Sequence, residues 1–194
     1  MPGTFCPLNR YGIRDYTLLQ QVEASAVHRR QVQIEDLGIT GRFDTAHLRG
    51  IHHHLFQDVF PWAGELRLVG LSKPGSAPFA APQYITSALD DLFRKLPSEN
   101  HLRNLTPEAF AGRAAFYLGE INAVHPFREG NGRTQREFIR QLAAQAGHTI
   151  SWAGFTQEGM TVASILSHTR GDNTQLASIM EAAILPAEPT LEPQ

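Results

Sequence analysis

The chain is short of the residues that would place it in several large protein classes. It has one cysteine, Cys6, which cannot build a disulfide framework or a multi-cysteine metal site and fits a reducing compartment, so the cytoplasm is the expected location. Charge of either sign is nearly balanced: 17 Lys and Arg against 19 Asp and Glu leave a formal net charge of −2. That excludes the global basic field that draws nucleic acid or an anionic membrane surface, and any basic chemistry must be local. No window approaches the ~18 uninterrupted apolar residues of a membrane helix. The opening MPGTFCPLNR also lacks the apolar core of a signal peptide. There is no internal repeat and no low-complexity block, so solenoid and fibrous architectures drop out.

What is present is helical periodicity, in a chain of 194 residues with 42% hydrophobic content, enough to bury the core of a single domain. In FDTAHLRGIHHHLFQDVF, Asp44 can cap a helix on which Leu48, Ile51, Leu55, Phe56 and Val59 recur at spacings of three and four. PQYITSALDDLFRKL repeats the pattern after Pro82. LTPEAFAGRAAFYLGEINAV opens with Thr106 as cap, Pro107 at the first helical position and Glu108 in the first turn. It is apolar on most sides and reads as the central, buried helix. Further helices are expected from about 15 to 32, 156 to 167 and 174 to 185. Residues 66–81 break the period with a β-prone run, a Lys-Pro-Gly-Ser turn, Pro78 and Phe79, and read as a surface hairpin. The fold class is therefore all-α with a small β-hairpin, one domain over 1–185. The proline- and acid-containing residues 186–194 are expected to form a disordered tail or linker.

One stretch concentrates chemistry: HPFREGNGRTQREF, from His125 to Phe138. Pro126 disfavours helical geometry at His125 and so ends the central helix. Gly130 and Gly132 permit a tight turn, and the helix that follows presents unpaired amides and its positive dipole end to that turn, which makes a backbone anion site. At about 100° per residue, Arg133, Arg136 and Arg140 share one sector of this second helix, opposite Phe138, Ile139, Leu142, Ala143 and Ala146. Arginine forks match phosphate oxygens. Glu129 sits badly beside phosphates unless a divalent cation lies between them, as Mg²⁺ does when held by a carboxylate and substrate phosphates. His125 can accept a proton near neutrality. These elements point to a nucleotide gripped by its phosphates and a hydroxyl nucleophile deprotonated by His125. Two other features carry less. Consecutive helical residues point in different directions, so His52, His53 and His54 cannot share one metal, and His52 is expected to pack inside. EGNGRT fails as a P-loop, because Arg133 stands where that motif needs Lys and Phe127 where it needs Gly.

HPFREGNGRTQR matches every fixed position of H-P-F-x-[D/E]-G-N-G-R-x-x-R and so resembles the signature of the Fic (filamentation induced by cAMP) family. HLRGIHHHLFQDVFPWAGELR upstream and HTISW downstream are similar to the flanks of Fic cores, so the resemblance spans about 43–152. It implies a Fic-type helical bundle with a hairpin flap, and a bacterial nucleotidyltransferase that moves AMP from ATP to a Ser, Thr or Tyr hydroxyl of a target protein. By position, His125 would be the general base and Glu129 the Mg²⁺ ligand. The amides of Gly130, Asn131 and Gly132, with the Asn131 side chain, would bind phosphates, Arg133 the β-phosphate and Arg136 the γ-phosphate. Phe127 would anchor the loop and Arg128 would border the nucleotide. The flap, with Val69, Gly70, Leu71, Ser72 and Lys73, would register the target by strand addition, flanked by Phe79.

Gathering arginines and Mg²⁺ on the β- and γ-phosphates favours a pyrophosphate leaving group, and hence AMP transfer over phosphoryl transfer. The alternatives are a Fic-type protein kinase and a non-catalytic ATP-binding module. The family's inhibitory pattern [S/T]-x-x-x-E-[G/N] is missing: the residues four before Glu99, Glu129 and Glu158 are Lys95, His125 and Gly154. The resemblance then implies a separate small antitoxin whose glutamate meets Arg136, the chain being the toxin of such a pair or an effector domain exported to a host; the alternative is a divergent internal inhibitor or a target-gated enzyme. Type II topoisomerase subunits and host GTPases are the target classes known in the family, and the sequence does not choose between them.

Overall fold

The computed structural model describes residues 6–72 and 77–186. Helices dominate, and their starts follow the capping chemistry of the sequence. Helix α1 (Tyr16–Leu37) begins where the Asp15 carboxylate accepts from Leu18 N–H, and α2 (Thr45–Phe56) where Asp44 accepts from His47 N–H at 2.8 Å. A 3₁₀ turn at Pro82–Tyr84 leads into α3 (Ile85–Phe93), and the short α4 (Lys95–Ser98) follows. Helix α5 (Pro107–Val124) carries the expected Thr106 cap and N-terminal proline. Helices α6 (Asn131–Ala146), α7 (Gln157–Arg170) and α8 (Thr174–Ala183) complete the bundle.

Helix α5 runs through the middle and packs against α3, α6, α7 and α8. Its residues Phe110, Ala114, Tyr117 and Ile121 are fully buried, as a helix apolar on most sides must be. Helix α2 lies between α1 and α6. It packs on both, whereas the backbones of α1 and α6 do not approach each other. Phe43, Phe93 and Phe138 meet edge-on and tilted at 5.0–5.5 Å where α2, α3 and α6 converge. No helix is long and apolar enough to cross a membrane, among the described residues.

The hairpin expected at 66–81 takes a looser form. Among the described residues its arms share one backbone hydrogen bond, Phe79 N–H to Leu71 C=O at 3.1 Å, and no strand ladder forms. Pro78 has no N–H to give, and the Ala80 N–H turns away to Ala123 C=O of α5. Leu68 and Val69 stand exposed. Lys73, assigned to the flap from sequence, lies outside the described residues. The β-bridge that does occur, Ile150 with Ile184, ties the segment after α6 to the end of α8.

Candidate functional site

The end of α5 and the start of α6 are shaped by two left-handed residues. His125 (φ 49°, ψ 62°) terminates α5, with its N–H still bonded to Ile121 C=O at 2.9 Å. Gly130 (φ 78°) opens α6. Among the described residues no side chain caps α6, so its first amides face the turn unspent by side chains, the arrangement by which a helix start can receive an anion. Gly130 is required twice over. Its conformation suits glycine, and a Cβ there would lie 2.3–2.9 Å from the Phe56 ring atoms.

The loop between these residues is held from below. The Asn131 side chain, expected among the phosphate ligands, is buried and used otherwise: its Oδ1 accepts from Phe127 N–H at 2.9 Å and its Nδ2 donates to Phe127 C=O at 2.7 Å. Its backbone amide remains at the helix start. Phe127 is buried and stacks on the His52 imidazole at 3.9 Å, so it anchors the loop and does not line the cleft. His52 accepts from Gly64 N–H at 2.8 Å on Nδ1, which leaves Nε2 to donate to Glu129 C=O at 3.1 Å. Burial pushes this histidine down to about 3, so it is a neutral bridge between the Ala63–Gly64 turn and the loop. His53 is exposed and His54 half-buried, and no group of three metal-ligating side chains occurs among the described residues.

Sequence reasoning missed Arg67, a buried guanidinium whose partners are all backbone carbonyls. It donates to His125 and Val69 at 2.7 Å each, to Val124 at 3.0 Å and to Ala80, while its own N–H meets Pro126 C=O at 2.9 Å. Burial lowers its affinity for protons. Its charge faces the carbonyls that end α5, where the helix dipole is negative, and one side chain thus ties both flap arms to His125. Above, the Phe79 ring stacks on the His125 imidazole at 3.9 Å and 10° and also on His168 of α7 at 5.1 Å.

These elements surround a cleft of about 700 Å³. His125, Arg128, Glu129, Gly130, Asn131, Gly132, Arg133 and Arg136 line it from the motif, and Leu71, Ser72 and Phe79 from the flap. Val69 and Gly70 stand outside it. The far wall comes from Trp152 through Ser164, with Leu118 and Asn122 of α5. Helix α1, which no motif singled out, contributes Tyr16, Gln20 and Glu23.

The three arginines of α6 have different roles. Arg140 leaves the cleft and is bound by the Glu137 carboxylate at 2.8 Å and by Ile34 C=O, so the sector drawn from helical period alone is too wide by one residue. Arg133 pairs with Glu23 and lies 4.8 Å over the Phe56 ring. Arg136 is half-buried, and among the described residues it has no hydrogen-bond or ion-pair partner. Burial and then repulsion from Arg133 both disfavour its charge. A half-buried cation held this way carries a desolvation cost that a neighbouring anion would offset.

The chain belongs to the Fic/DOC family, whose profile matches residues 42–143. It is 44% identical over 167 residues to protein adenylyltransferase VbhT of Bartonella schoenbuchensis, covering 86% of this chain but 35% of that protein, so it spans about a third of that relative's length. It is 39% identical to the probable protein adenylyltransferase Fic of Escherichia coli, across 94% of this chain and 90% of the relative. Among solved structures, BepC, a VirB-translocated effector of Bartonella tribocorum with bound AMPPNP, superposes with a TM-score of 0.91. Its sequence identity is 31%, over 97% of this chain and 96% of that one.

Proposed function

We infer that the chain is a protein adenylyltransferase that moves AMP from ATP to a hydroxyl side chain of a target protein. The observation that carries this reading is the uncompensated Arg136 beside an uncapped helix start, with an imidazole and a carboxylate lining the same cleft. Relatives matched along nine-tenths of both chains bear the name probable protein adenylyltransferase, and BepC is described with bound AMPPNP, which supports ATP as the ligand.

In this reading the triphosphate lies along the start of α6, with the amides of Gly130, Asn131 and Gly132 on its oxygens, Arg133 at the β-phosphate and Arg136 at the γ-phosphate. Phe127 acts from the core by anchoring the loop, and exposed Arg128 borders the nucleotide. His125 takes the proton of the target hydroxyl, whose oxygen bonds to the α-phosphorus as the bond to the bridging oxygen breaks and pyrophosphate leaves. The arginines stabilise charge on that leaving group, and Phe79 holds the imidazole plane. Glu129 fits Mg²⁺ better than a protein-built metal cage, because a single carboxylate here requires phosphate oxygens to complete the shell. The ion would screen phosphate charge when bound. The exposed arm at Val69 and Gly70, with Leu71 and Ser72 at the cleft, is the place for an extended target segment.

The same bare Arg136 supports a separate inhibitor. No carboxylate within the described chain reaches it, so a small antitoxin supplying a glutamate would neutralise it and displace the γ-phosphate, making this chain the toxin of a pair. Incubation with cell extract and ATP labelled at the α- or the γ-phosphate tests the main reading. Transfer of α-label that vanishes in His125→Ala is expected. Transfer of γ-label identifies a kinase and no transfer a binding module, and either overturns it.

A further inference from the structure

The contact between Glu23 and Arg133 spans 110 positions of sequence and joins two helices whose backbones do not touch. Helix α2 separates them, and long polar side chains reach across it. Glu23 meets Arg133, Gln31 meets Glu137 and Arg140 meets Ile34 C=O, so α1 and α6 run in the same direction where they are bridged. Tyr16, Gln20 and Glu23, spaced by four and three, form one face of α1, and all three line the cleft. The Glu23 side chain is 6% exposed and that of Arg133 32%. The carboxylate is thus sealed inside while the guanidinium reaches the opening.

Such a placement is expensive for the fold. The proton affinity of Glu23 is raised on balance: burial is the largest cause and the nearby Glu129 adds to it, while Arg133 works against them. A buried ion pair is weak evidence of stabilisation, because an uncharged pair of similar volume often packs at no greater cost. What the pair does achieve is geometric. Arg133 has a flexible stem, yet its guanidinium is fixed from below by the Phe56 face and from the side by Glu23. Arg136, three residues on, has no such partner among the described residues.

We propose that Glu23 is a positioning residue of the nucleotide site, which fixes the Arg133 guanidinium from α1 in the place where it meets the β-phosphate. Helix α1, outside the family match at 42–143, is then part of the site, and the binding energy of Arg133 is not spent on ordering its own side chain. The inference rests on the reading that the cleft takes ATP.

Equilibrium binding of a non-hydrolysable ATP analogue with Mg²⁺, to the full chain and its variants, tests it without requiring a target. Glu23→Ala is expected to weaken binding about tenfold, the scale of one charge-assisted hydrogen bond. Glu23→Gln, whose amide oxygen still accepts from Arg133 in the same volume, is expected to fall between, and it serves if the alanine variant does not fold. In an Arg133→Ala background the Glu23 substitution should change nothing further, whereas a merely structural role would weaken binding by the same factor as in the wild type. Unchanged or tighter binding in either Glu23 variant overturns the proposal. Failure of the unsubstituted chain to bind the analogue overturns the ATP reading itself, a separate outcome.

Discussion

The motif writes Gly130 and Gly132 alike, but the structure gives them unequal duties, and alanine at each position separates the two. At Gly130 the left-handed backbone costs an L-residue about 1–2 kcal/mol. The new methyl, 2.3–2.9 Å from the Phe56 ring, adds about 1–3 kcal/mol of overpacking. Phe56 is fully buried and its ring carries Arg133 and stacks with His52, so it has no open side to retreat to. A loss of about 3 kcal/mol lowers the melting temperature by about 6–12 °C in a domain of this size. Gly132 sits inside the first turn of α6, and a Cβ there meets nothing closer than the flexible end of Arg136 at 3.4 Å. Replacing a helical glycine by alanine gains up to about 1 kcal/mol. Thermal and urea unfolding of both variants should therefore show Gly130→Ala clearly destabilised and Gly132→Ala equal to or above the wild type. Any activity lost in Gly132→Ala would then reflect a methyl standing between amide and phosphate. Equal melting temperatures for the two variants, or a stable Gly130→Ala, would refute the reasoning.

Two further predictions use charge. Arg136→Gln removes a half-buried cation with no partner among the described residues, so its melting temperature should equal or exceed that of the wild type while AMP transfer falls at least about 100-fold. A lower melting temperature would mean that Arg136 has a structural partner. Burial lowers His52 to about 3 and lowers His47 as well. The unfolded chain therefore binds more protons below pH ~6.5 and stability is lost as pH falls through that value toward 3. Glu23, raised by burial, acts with the opposite sign just above the usual carboxylate range. His52→Gln can keep both hydrogen bonds, to Gly64 N–H and Glu129 C=O. Between pH 6.5 and 5 it should flatten the dependence by up to about 1.4 kcal/mol per pH unit, and an unaltered slope in urea unfolding would contradict this.

What the sequence made legible is what depends on neighbours along the chain. Asp44 and the Thr106–Pro107 pair mark true helix starts, and Pro126 does end α5 at His125. The turn glycines and the arginines of α6 follow from spacing alone. Contacts between residues far apart were hidden for the same reason: Glu23 lies on a helix of weak amphipathic pattern, with nothing to relate it to Arg133. Arg67 was in view in AGELR, but its meaning depends on carbonyls that converge only after α5 and the flap are folded. Period-based reasoning also overreached by a single position, because Arg140 shares the sector of Arg136 yet finds Glu137 one turn back. The motif likewise does not reveal that the Asn131 side chain closes the loop on Phe127.

A crystal structure of the chain with a non-hydrolysable ATP analogue and Mg²⁺ tests the central claim most directly. The account predicts the triphosphate across the first turn of α6, its γ-phosphate on Arg136 and its α-phosphorus facing the His125 imidazole. A nucleotide bound in reverse, with the γ-phosphorus at His125, or phosphates held away from the start of α6, would contradict it.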